Sequence, residues 1–335
     1  MKIHITNIYN QLGAAGLSQQ KNMKIAREMG FHELGIYRYP IEVDNDAELG
    51  RRIDGIISAV QEGDVVFFQS PSWIGLRYDL LFLRKLRGYK NIKIGILIND
   101  VIPLLFKSGE DNLRATIEIY NYADLIIAPS KSMLNFLERY GLTVNKRIVQ
   151  EMWDYPVSFE LSRPLCKKRI FFTGAPSRFP FVEQWNYMTP MVLYTGQDFL
   201  KKDLNIELRG YQKETKLLSE LSEGGYGLVW HSCEIADEYY FLLQPYKLST
   251  YLAAGIPVIM QKGLAPEKTI VENGLCFVVE SLEEADSIVQ ATSEEEYNKM
   301  VNRIAEFNFL IKDGWFTKKM LTDAVMHFLN NNYQP

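Results

Sequence analysis

The chain has 335 residues, a formal net charge of −4, and a composition of 47% hydrophobic and 13% aromatic residues. This length suits two domains of ordinary size, and the hydrophobic content excludes a disordered chain because it can bury a large core. The negative charge and the lack of a long basic run argue against a nucleic-acid partner, although one local anion site remains compatible with them.

The first half of the chain alternates short apolar runs with amphipathic segments of helical length. The apolar runs predict strands at Ile3–Ile8, Leu34–Tyr37, Val65–Phe68, Lys93–Ile98 and Leu125–Ala128. The amphipathic segments predict helices at Leu17–Met29, Ala47–Gln61, Tyr78–Leu86, Leu113–Tyr122 and Lys131–Tyr140. This alternation is typical of a parallel sheet with right-handed crossovers, so we expect a doubly wound, Rossmann-like domain over residues 1–155.

A second alternating series follows a segment of little periodicity, Trp153–Pro164, which we interpret as the domain boundary. The predicted strands are Arg169–Thr173, Met191–Tyr194, Ile206–Arg209, Gly227–Trp230, Val258–Met260 and Cys276–Val279. The predicted helices are Lys213–Leu221, Lys247–Ala254, Glu267–Glu272, Glu283–Ala291 and Glu294–Phe307. We expect a second doubly wound domain over residues 156–312, and a last helix within 313–335, near Phe316–Leu329, that returns to the first domain. Two such domains facing each other create a ligand cleft at the carboxyl ends of both sheets.

Targeting, membrane and metal-binding patterns are not found in the sequence. Met1–Asn7 has the pattern of a short strand rather than a signal peptide, and no apolar run is long enough to cross a bilayer. Cys166, Cys233 and Cys276 are odd in number and widely spaced, and the four histidines are scattered. We therefore expect a reduced, cytoplasmic protein without a disulfide framework or a zinc site.

The segment Tyr246–Ile259 predicts a short helix that ends at Gly255 and is followed by an apolar strand. Its first turn carries Lys247 together with the hydroxyls of Ser249 and Thr250. A lysine is unfavourable there, because the amino end of a helix is its positive end. The pattern is explained if the turn binds an anion such as a diphosphate. The alternative is an ordinary helix with a solvated lysine.

A second cation follows another predicted strand, in Gly174–Phe179. Ser177 is a candidate N-cap, which would place Arg178 in the first turn of a helix. Arg178 can pair bidentately with a phosphate, or it can be a surface arginine. Two unfavourably placed cations in one domain favour an anion site.

Small residues follow the first strand, where Gly13 and Gly16 permit close approach of the backbone to a ligand. This spacing does not complete the dinucleotide-binding pattern, and no acidic residue stands at the expected place after the second strand. A nicotinamide-dependent oxidoreductase is therefore disfavoured.

Two further segments end strands of the first domain. Asp100 follows the fourth strand and can act as a base or orient an acceptor hydroxyl, or it can form an Asx turn. Trp73 follows the third strand and can form a platform for a sugar, or pack inward. In the second domain, His231 and Tyr211 also follow strands, and Tyr211 can stack on a base or ribose.

The D-x-D sequence Asp44–Asp46 has a form found in metal-dependent sugar transferases. Asn45 and Glu48, however, fit a capping box that opens the following helix. The capping box is the preferred interpretation, and no metal site is predicted.

The chain resembles the GT-B accessory glycosyltransferases of Gram-positive bacteria that extend glycans on serine-rich-repeat adhesins. It is most similar to those that add a second sugar, commonly glucose, to protein-linked N-acetylglucosamine. The stretches that carry the resemblance are Ile5–Ile8, Glu33–Tyr37, Gly63–Val66, Asp100–Leu104, Met152–Asp154, Gly225–Trp230 and Tyr246–Ile259.

The resemblance implies a GT-B fold and a UDP-sugar donor held without a catalytic metal or cofactor. The donor residues that it implies are Gly16, Arg178, Tyr211, Pro245, Tyr246, Lys247, Leu248, Ser249 and Thr250. The loop Pro71–Asp79 would contact the acceptor glycoprotein, through Ser72, Trp73, Ile74, Gly75, Leu76 and Arg77. Asp100 is the candidate catalytic residue. The family also implies a homo-oligomer.

Two positions depart from the family pattern. Asn99 stands where the family often has histidine, so a histidine base is excluded there. Ala15 and Gly16 replace a hydroxyl residue, so a donor contact there would come from the backbone.

We therefore expect a transferase that moves a hexose from a UDP-sugar to N-acetylglucosamine on a serine-rich-repeat protein. A non-catalytic nucleotide- or glycan-binding partner of another transferase is the alternative, because the sequence contains no unmistakable acid–base catalyst. The residues leave open whether the donor sugar is glucose, N-acetylglucosamine or galactose. They also leave open the linkage, the anomeric outcome and the general base.

Overall fold

The computed structural model describes residues 1–198, 203–231, 238–330 and 333. The chain divides into two compact units, each described here by itself. Unit 1 comprises Met1–Trp153 together with Trp315–Pro335, and unit 2 comprises Asp154–Gly314. Cys233, one of the three cysteines considered above, lies outside the described residues, whereas Cys166 and Cys276 carry free thiols.

Unit 1 is built from six strands and the helices that connect them in the described residues. The strands are β1 (Ile3–Tyr9), β2 (His32–Tyr37), β3 (Val65–Ser70), β4 (Lys93–Ile98), β5 (Leu125–Ala128) and β6 (Lys146–Val149). The helices are α1 (Gly13–Glu28), α2 (Asp46–Ile56), α3 (Leu76–Leu86), α4 (Ile102–Leu105), α5 (Glu110–Tyr120), α6 (Lys131–Arg139) and, from the end of the chain, α13 (Trp315–Leu329). A 3-10 helix covers Ile41–Val43.

The sheet of unit 1 is parallel throughout, in the order β2-β1-β3-β4-β5-β6. The chain first moves outward from β1 to β2 and then returns to place β3 on the other side of β1. The carboxyl ends of β1 and β3 therefore flank a topological switch point, the usual place for a ligand in such sheets.

Helices cover both faces of this sheet. One face carries Ile5, Val65 and Phe67, which pack with Met23 of α1 and Leu321 of α13 in a common core. On the other face, the ring of Phe68 lies 5.3 Å from that of Phe82 in α3. Successive strand residues point to opposite faces, so Phe67 and Phe68 pack against the helices on opposite faces of the sheet.

Unit 2 has the same plan. Its strands are β7 (Ile170–Thr173), β8 (Met191–Tyr194), β9 (Ile206–Leu208), β10 (Tyr226–Val229), β11 (Val258–Gln261) and β12 (Cys276–Val279). Its helices, within the described residues, are α7 (Glu214–Leu221), α8 (Glu238–Leu242), α9 (Tyr246–Ala253), α10 (Glu267–Glu272), α11 (Leu282–Ala291) and α12 (Glu294–Lys312). A 3-10 helix covers Pro180–Gln184.

The parallel sheet of unit 2 has the order β12-β11-β10-β7-β8-β9. The chain runs outward from β7 to β9 and then crosses back to place β10 on the other side of β7. The loops after β7 and β10 therefore flank the switch point of this unit.

The predicted α/β class with two doubly wound parallel sheets is confirmed. Strand β6 was not predicted, because it has four half-buried or buried residues and opens with two cations rather than an apolar run. The four-residue helix α4 was also missed. No helix in the described ranges is both long and apolar enough to span a bilayer.

Gly227→Ala tests the close packing of α9 on β10. A methyl group at position 227 would lie 2.2 Å from Cγ of the buried Tyr251. Because α9 would have to shift to accommodate it, we expect the free energy of unfolding to fall by about 1–3 kcal/mol. Urea denaturation followed by circular dichroism measures the change.

Gly55→Ala is the matched control, because a methyl group there meets no heavy atom within 4 Å. In helix α2 we expect it to leave stability unchanged or to raise it by up to about 1 kcal/mol. Equal urea midpoints for Gly227→Ala and the wild type would contradict the packing described here.

Candidate functional site

Lys247 lies against two aromatic rings at the amino end of α9. Its Nζ atom lies 4.1 Å from the ring centroid of Phe179 and 5.2 Å from that of Phe172. Gly174 lets these rings approach, since a Cβ atom there would lie 2.8 Å from each of them. The ring faces stabilise the ammonium, and they also keep water from part of it.

Lys247 and Arg178 form a pair of like charges in unit 2. Burial, and secondarily the Arg178 charge, lower the pKa of Lys247 to about 7. In the described parts of the chain, neither side chain forms an ion pair with a carboxylate. A partly desolvated cation without such a partner is costly unless an anion binds it. The arrangement is therefore suited to a multiply charged anion.

The segment after β7 differs from its prediction. The prediction of a helix with Ser177 as N-cap is wrong, because residues 176–178 form a turn in which the amides of Arg178 and Phe179 donate to the Ala175 carbonyl oxygen, at 2.9 and 3.1 Å. Pro180 follows and disfavours a helical conformation for the residue before it, so Phe179 has φ −129° and ψ 73°, and a 3-10 helix begins at Pro180 instead.

Arg178 therefore does not lie at the positive end of a helix. Its exposed guanidinium carbon lies 5.6 Å from the ring centroid of Phe179, the same ring that contacts Lys247. The Ser177 hydroxyl accepts a hydrogen bond from Gln197 Nε2 at 2.9 Å. The two predicted cations are thus brought together by an aromatic ring rather than by two helix ends.

The rest of the predicted helix at α9 is confirmed. Pro245 is its N-cap, and Gly255 ends it with a φ of +85°. Leu248 is buried in the core, so only its backbone can contact a ligand. Ser249 is buried at 1% exposure. The Thr250 hydroxyl donates to the Tyr246 carbonyl oxygen at 3.1 Å, so its proton is already used inside the helix.

Tyr211 lies beyond the end of β9, after Gly210 with its φ of +65°. Its side chain is 75% exposed. Elsewhere in unit 2, the ring of Tyr155 lies 5.4 Å from the ring of Tyr246, the first residue of α9.

The ring of His231 lies between those of Phe179 and Tyr240 in a row of ring contacts. The His231 ring lies 5.5 Å from Phe179 and 4.5 Å from Tyr240, and the His231 amide donates to Gln261 Oε1 at 2.9 Å. Burial raises the pKa of Tyr240 although the nearby Arg178 charge lowers it. Of the residues around Lys247, sequence reasoning missed Phe172, Phe179 and Tyr240. Their apolar pattern indicates only a strand or a core, and ring contacts between distant segments leave no local signal.

In unit 1, Gly16 lies in the first turn of α1 and is buried. A Cβ atom there would lie 2.0 Å from the Gln11 carbonyl oxygen, so the turn after β1 requires glycine. The N-cap Leu12 makes no side-chain hydrogen bond, and the first turn has no acidic residue. The backbone amides of this turn are therefore not capped by a side chain of the N-cap residue.

The predicted acceptor residues Ser72, Trp73, Ile74, Gly75, Leu76 and Arg77 follow β3 directly and lead into α3. We call them the Ser72–Arg77 segment. Trp73 is half-buried, so its side chain is neither fully exposed at a loop tip nor fully packed in the core. Arg77 is exposed, and it donates to Asp46 Oδ1 and to the Asp44 carbonyl oxygen.

Asp100 is half-buried at the end of β4, beside the end of β3. The amide of Asn99 donates to the Ser70 carbonyl oxygen at 2.8 Å, and that of Asp100 does so at 3.4 Å. The structure thus brings Asp100 near the Ser72–Arg77 segment at the carboxyl ends of β3 and β4.

The capping-box interpretation of Asp44–Asp46 is confirmed. The Asn45 side chain accepts from the amides of Ala47 and Glu48, each at 3.0 Å, and Glu48 accepts from the Asn45 amide. In the described residues, no group of three His, Cys, Asp or Glu side chains is arranged to hold a metal ion.

Comparison with known proteins shows two matching family models. The model described as "Glucosyltransferase 3-like, N-terminal domain" matches residues 2–152, and the corresponding C-terminal domain model matches residues 170–324. The chain is 43% identical to Glucosyltransferase 3 of Streptococcus gordonii, over 98% of this chain and 100% of the relative. It is 40% identical to Glucosyltransferase 3 of Streptococcus parasanguinis, over 97% of this chain and 98% of the relative.

Solved structures with low sequence identity share the fold. HepE of Anabaena in complex with UDP and glucose has a TM-score of 0.64 at 12% identity, covering 97% of this chain and 99% of that one. The sucrose-phosphate synthase of Thermosynechococcus elongatus has a TM-score of 0.63 at 12% identity, covering 98% of this chain and 100% of that one.

Lys247→Met tests the cost of the partly buried ammonium, because it removes the charge and keeps a flexible apolar chain. We expect its free energy of unfolding at pH 7 to exceed that of the wild type by about 1–2 kcal/mol. The folded pKa of about 7 lies below the ordinary 10.5, so the unfolded chain binds more protons between these values. The wild type therefore gains stability as pH rises through this window, and the advantage of the variant shrinks. Urea denaturation at pH 7 and pH 9 measures both effects.

Lys262→Met is the control for this substitution. Lys262 is exposed and its Nζ lies 2.5 Å from Glu280 Oε1, so we expect a change within about 0.5 kcal/mol. A Lys247→Met protein that is less stable than the wild type at pH 7 would show that the ammonium is not penalised by burial.

Proposed function

The chain belongs to the glucosyltransferase 3-like family, and we propose that it transfers a hexose, glucose first, from a UDP-sugar to N-acetylglucosamine on a serine-rich-repeat glycoprotein. Family membership makes it a glycosyltransferase. The observation that carries the donor assignment is the pair of cations, Lys247 and Arg178, without a carboxylate partner in the described residues.

The donor site of this proposal lies in unit 2, at the switch point between β7 and β10. A UDP-sugar carries a diphosphate, and cleavage of its glycosidic bond leaves further negative charge on the departing UDP. Lys247 and Arg178 neutralise that charge where it develops, which is the largest contribution that a preorganised site makes to such a reaction. The amino end of α9 adds a favourable dipole.

Lys247 binds the diphosphate in its protonated form. In the free protein its pKa of about 7 leaves a mixture of charged and neutral forms near neutral pH. A bound diphosphate favours the ammonium and raises this pKa. Donor binding is therefore coupled to proton uptake, and the cost of keeping the cation desolvated falls when the donor is bound.

The nucleoside end of the donor is assigned to Tyr211. Its exposed ring can stack on uracil or ribose. Pro245 and Leu248 shape the turn beside the diphosphate, where the Leu248 amide donates to the Pro245 carbonyl oxygen at 3.0 Å.

The acceptor site of this proposal lies in unit 1. The Ser72–Arg77 segment contacts the sugar on the acceptor protein, with the half-buried Trp73 as its aromatic element. Asp100 lies at the end of the neighbouring strand, where its carboxylate can accept a hydrogen bond from the acceptor hydroxyl and orient it for attack.

Transfer from radiolabelled UDP-glucose by the purified protein alone tests this function. We expect label to appear on a serine-rich peptide modified with N-acetylglucosamine, and less transfer from UDP-N-acetylglucosamine and UDP-galactose. By titration calorimetry, Lys247→Ala and Arg178→Ala should each weaken UDP binding by about tenfold or more, because each removes a charged contact to the diphosphate. Lys262→Ala is the control lysine, and EDTA should leave UDP affinity unchanged.

Two results contradict parts of the proposal separately. Binding of UDP without any transfer would favour a non-catalytic nucleotide-binding partner. UDP binding that requires a metal ion, or that survives Lys247→Ala unchanged, would contradict the assigned donor site.

A further inference from the structure

Asp79 is a buried carboxylate that the proposed mechanism does not use. It lies in α3 at 4% exposure, and the neighbouring Ser72 is 1% exposed. The Ser72 hydroxyl donates a short hydrogen bond to Asp79 Oδ1, and the Ser72 amide also donates to this carboxyl. The same hydroxyl accepts from the Ile74 amide at 3.3 Å. Asp79 thus acts on the backbone of the Ser72–Arg77 segment through one serine.

That segment has a backbone conformation that must be held. Trp73 has a φ of +59°, in the left-handed region, and Gly75 has a φ of +140°. The left-handed conformation costs a bulky residue about 1 kcal/mol or more. The Trp73 carbonyl oxygen accepts from Arg38 Nε at 3.0 Å, and the Ser72 contacts lie on its other side. The hydrogen bond to the Trp73 carbonyl oxygen and the one between its neighbours Ser72 and Ile74 therefore offset the strain at Trp73.

The chain just before this segment is fixed by a buried amide network. Gln19 Nε2 of α1 donates to the Pro71 carbonyl oxygen at 2.9 Å. Gln69 Nε2 donates to the carbonyl oxygens of Thr6 and Gln19, at 2.7 and 3.0 Å, and Asn22 Nδ2 donates to Gln69 Oε1 at 3.0 Å. With Pro71 anchored in this way, the path of the next residues depends on the contacts of Ser72.

From this geometry we infer that Asp79 is a positioning residue: through Ser72 it sets the conformation of the Ser72–Arg77 segment and so the affinity for the acceptor. The acceptor role of the segment rests on the function proposed above. The structural link from Asp79 to Ser72 and Trp73 is independent of that function.

Holding Ser72 with a buried carboxylate carries a desolvation cost. Burial raises the pKa of Asp79 to about 7, although the hydrogen bonds from Ser72 lower it. Within the described ranges, the phenols of Tyr78 and Tyr120 also interact electrostatically with Asp79. Burial raises the pKa of both phenols, so they stay neutral and do not compensate the charge.

The two protonation states of Asp79 hold Ser72 differently. The ionised carboxylate accepts both hydrogen bonds from Ser72. In the protonated form the carboxyl can instead donate to Ser72 Oγ, so the Ser72 hydroxyl no longer donates to Asp79 and the hydrogen bonds lose the assistance of the carboxylate charge. The segment is therefore held best above neutral pH, and it loosens as pH falls through about 7.

Trp73 reports this change without any need for an acceptor. Subtracting the fluorescence of Trp73→Phe from that of the wild type isolates the Trp73 emission. We expect this difference to change with pH, with a midpoint near 7. Asp79→Asn removes the ionisable group and should abolish the transition. Ser72→Ala breaks the link while leaving the carboxyl in place, and it should abolish the transition as well.

Asp64→Asn is the matched control. Asp64 is also a buried carboxylate of unit 1, at the opposite end of β3, where it accepts hydrogen bonds from the amides of Lys2 and Gln61 and pairs with His4 Nε2 at 3.1 Å. This substitution removes a comparable set of contacts and should leave the Trp73 transition unchanged.

The kinetic measurement separates positioning from a general loss of structure. In Ser72→Ala and Asp79→Asn, the KM for the N-acetylglucosamine-modified peptide should rise by about tenfold or more, whereas the Kd for UDP changes by less than about twofold. A Trp73 transition that persists in both variants, or UDP affinity that falls together with acceptor affinity, overturns the inference. Absence of transfer by the wild type would instead contradict the proposed function, and the emission measurement would still decide the role of Asp79.

Discussion

The cation of Lys247, held against the rings of Phe172 and Phe179, is the interaction on which the interpretation of unit 2 depends. Glycine at position 174 lets the rings meet, and the turn closed on Ala175 places Arg178 beside Phe179. Strand β7, the turn that follows it and helix α9 are therefore arranged around a positive charge. A folded protein keeps such a charge at a cost, and that cost makes the site selective for a strongly charged anion.

Among the described residues, each unit keeps a poorly compensated charge near the carboxyl ends of its strands. In unit 2 it is a lysine with a lowered pKa, and in unit 1 it is Asp79 with a raised pKa. Burial is the largest cause in both cases, and both groups change charge near neutral pH. Buried groups of this kind lower stability, so their presence at the two candidate sites is better explained by ligand binding and loop positioning than by folding.

The sequence predicts the fold well because both units consist of regular strand–helix repeats with clear apolar runs. It fails where local rules compete with contacts between distant segments. Ser177 satisfies the preference for an N-cap, but Pro180 disfavours the helical conformation that Phe179 would need in a helix opened by Ser177. Strand β6 opens with Lys146 and Arg147 and joins the sheet only because β5 provides an edge.

The candidate site was identified in part for the wrong reason. The sequence singles out Lys247 and Arg178 as cations at two positive helix ends, and only Lys247 lies at one. The ring of Phe179 that joins them, and the burial that lowers the lysine pKa, follow from side-chain packing that no local pattern encodes. Likewise, the sequence predicts that the Thr250 hydroxyl can bind the anion, but in the structure this hydroxyl donates to the Tyr246 carbonyl oxygen of the same helix.

Proton uptake on UDP binding tests the central claim most directly. Calorimetric titrations at pH 8 in two buffers of different ionisation enthalpy give the number of protons taken up, at a pH where the UDP phosphates are already ionised. Because Lys247 is mostly neutral there in the free protein and becomes charged against the diphosphate, we expect nearly one proton for the wild type and none for Lys247→Met. Equal uptake by the two proteins, or none by either, would contradict a diphosphate site organised around Lys247.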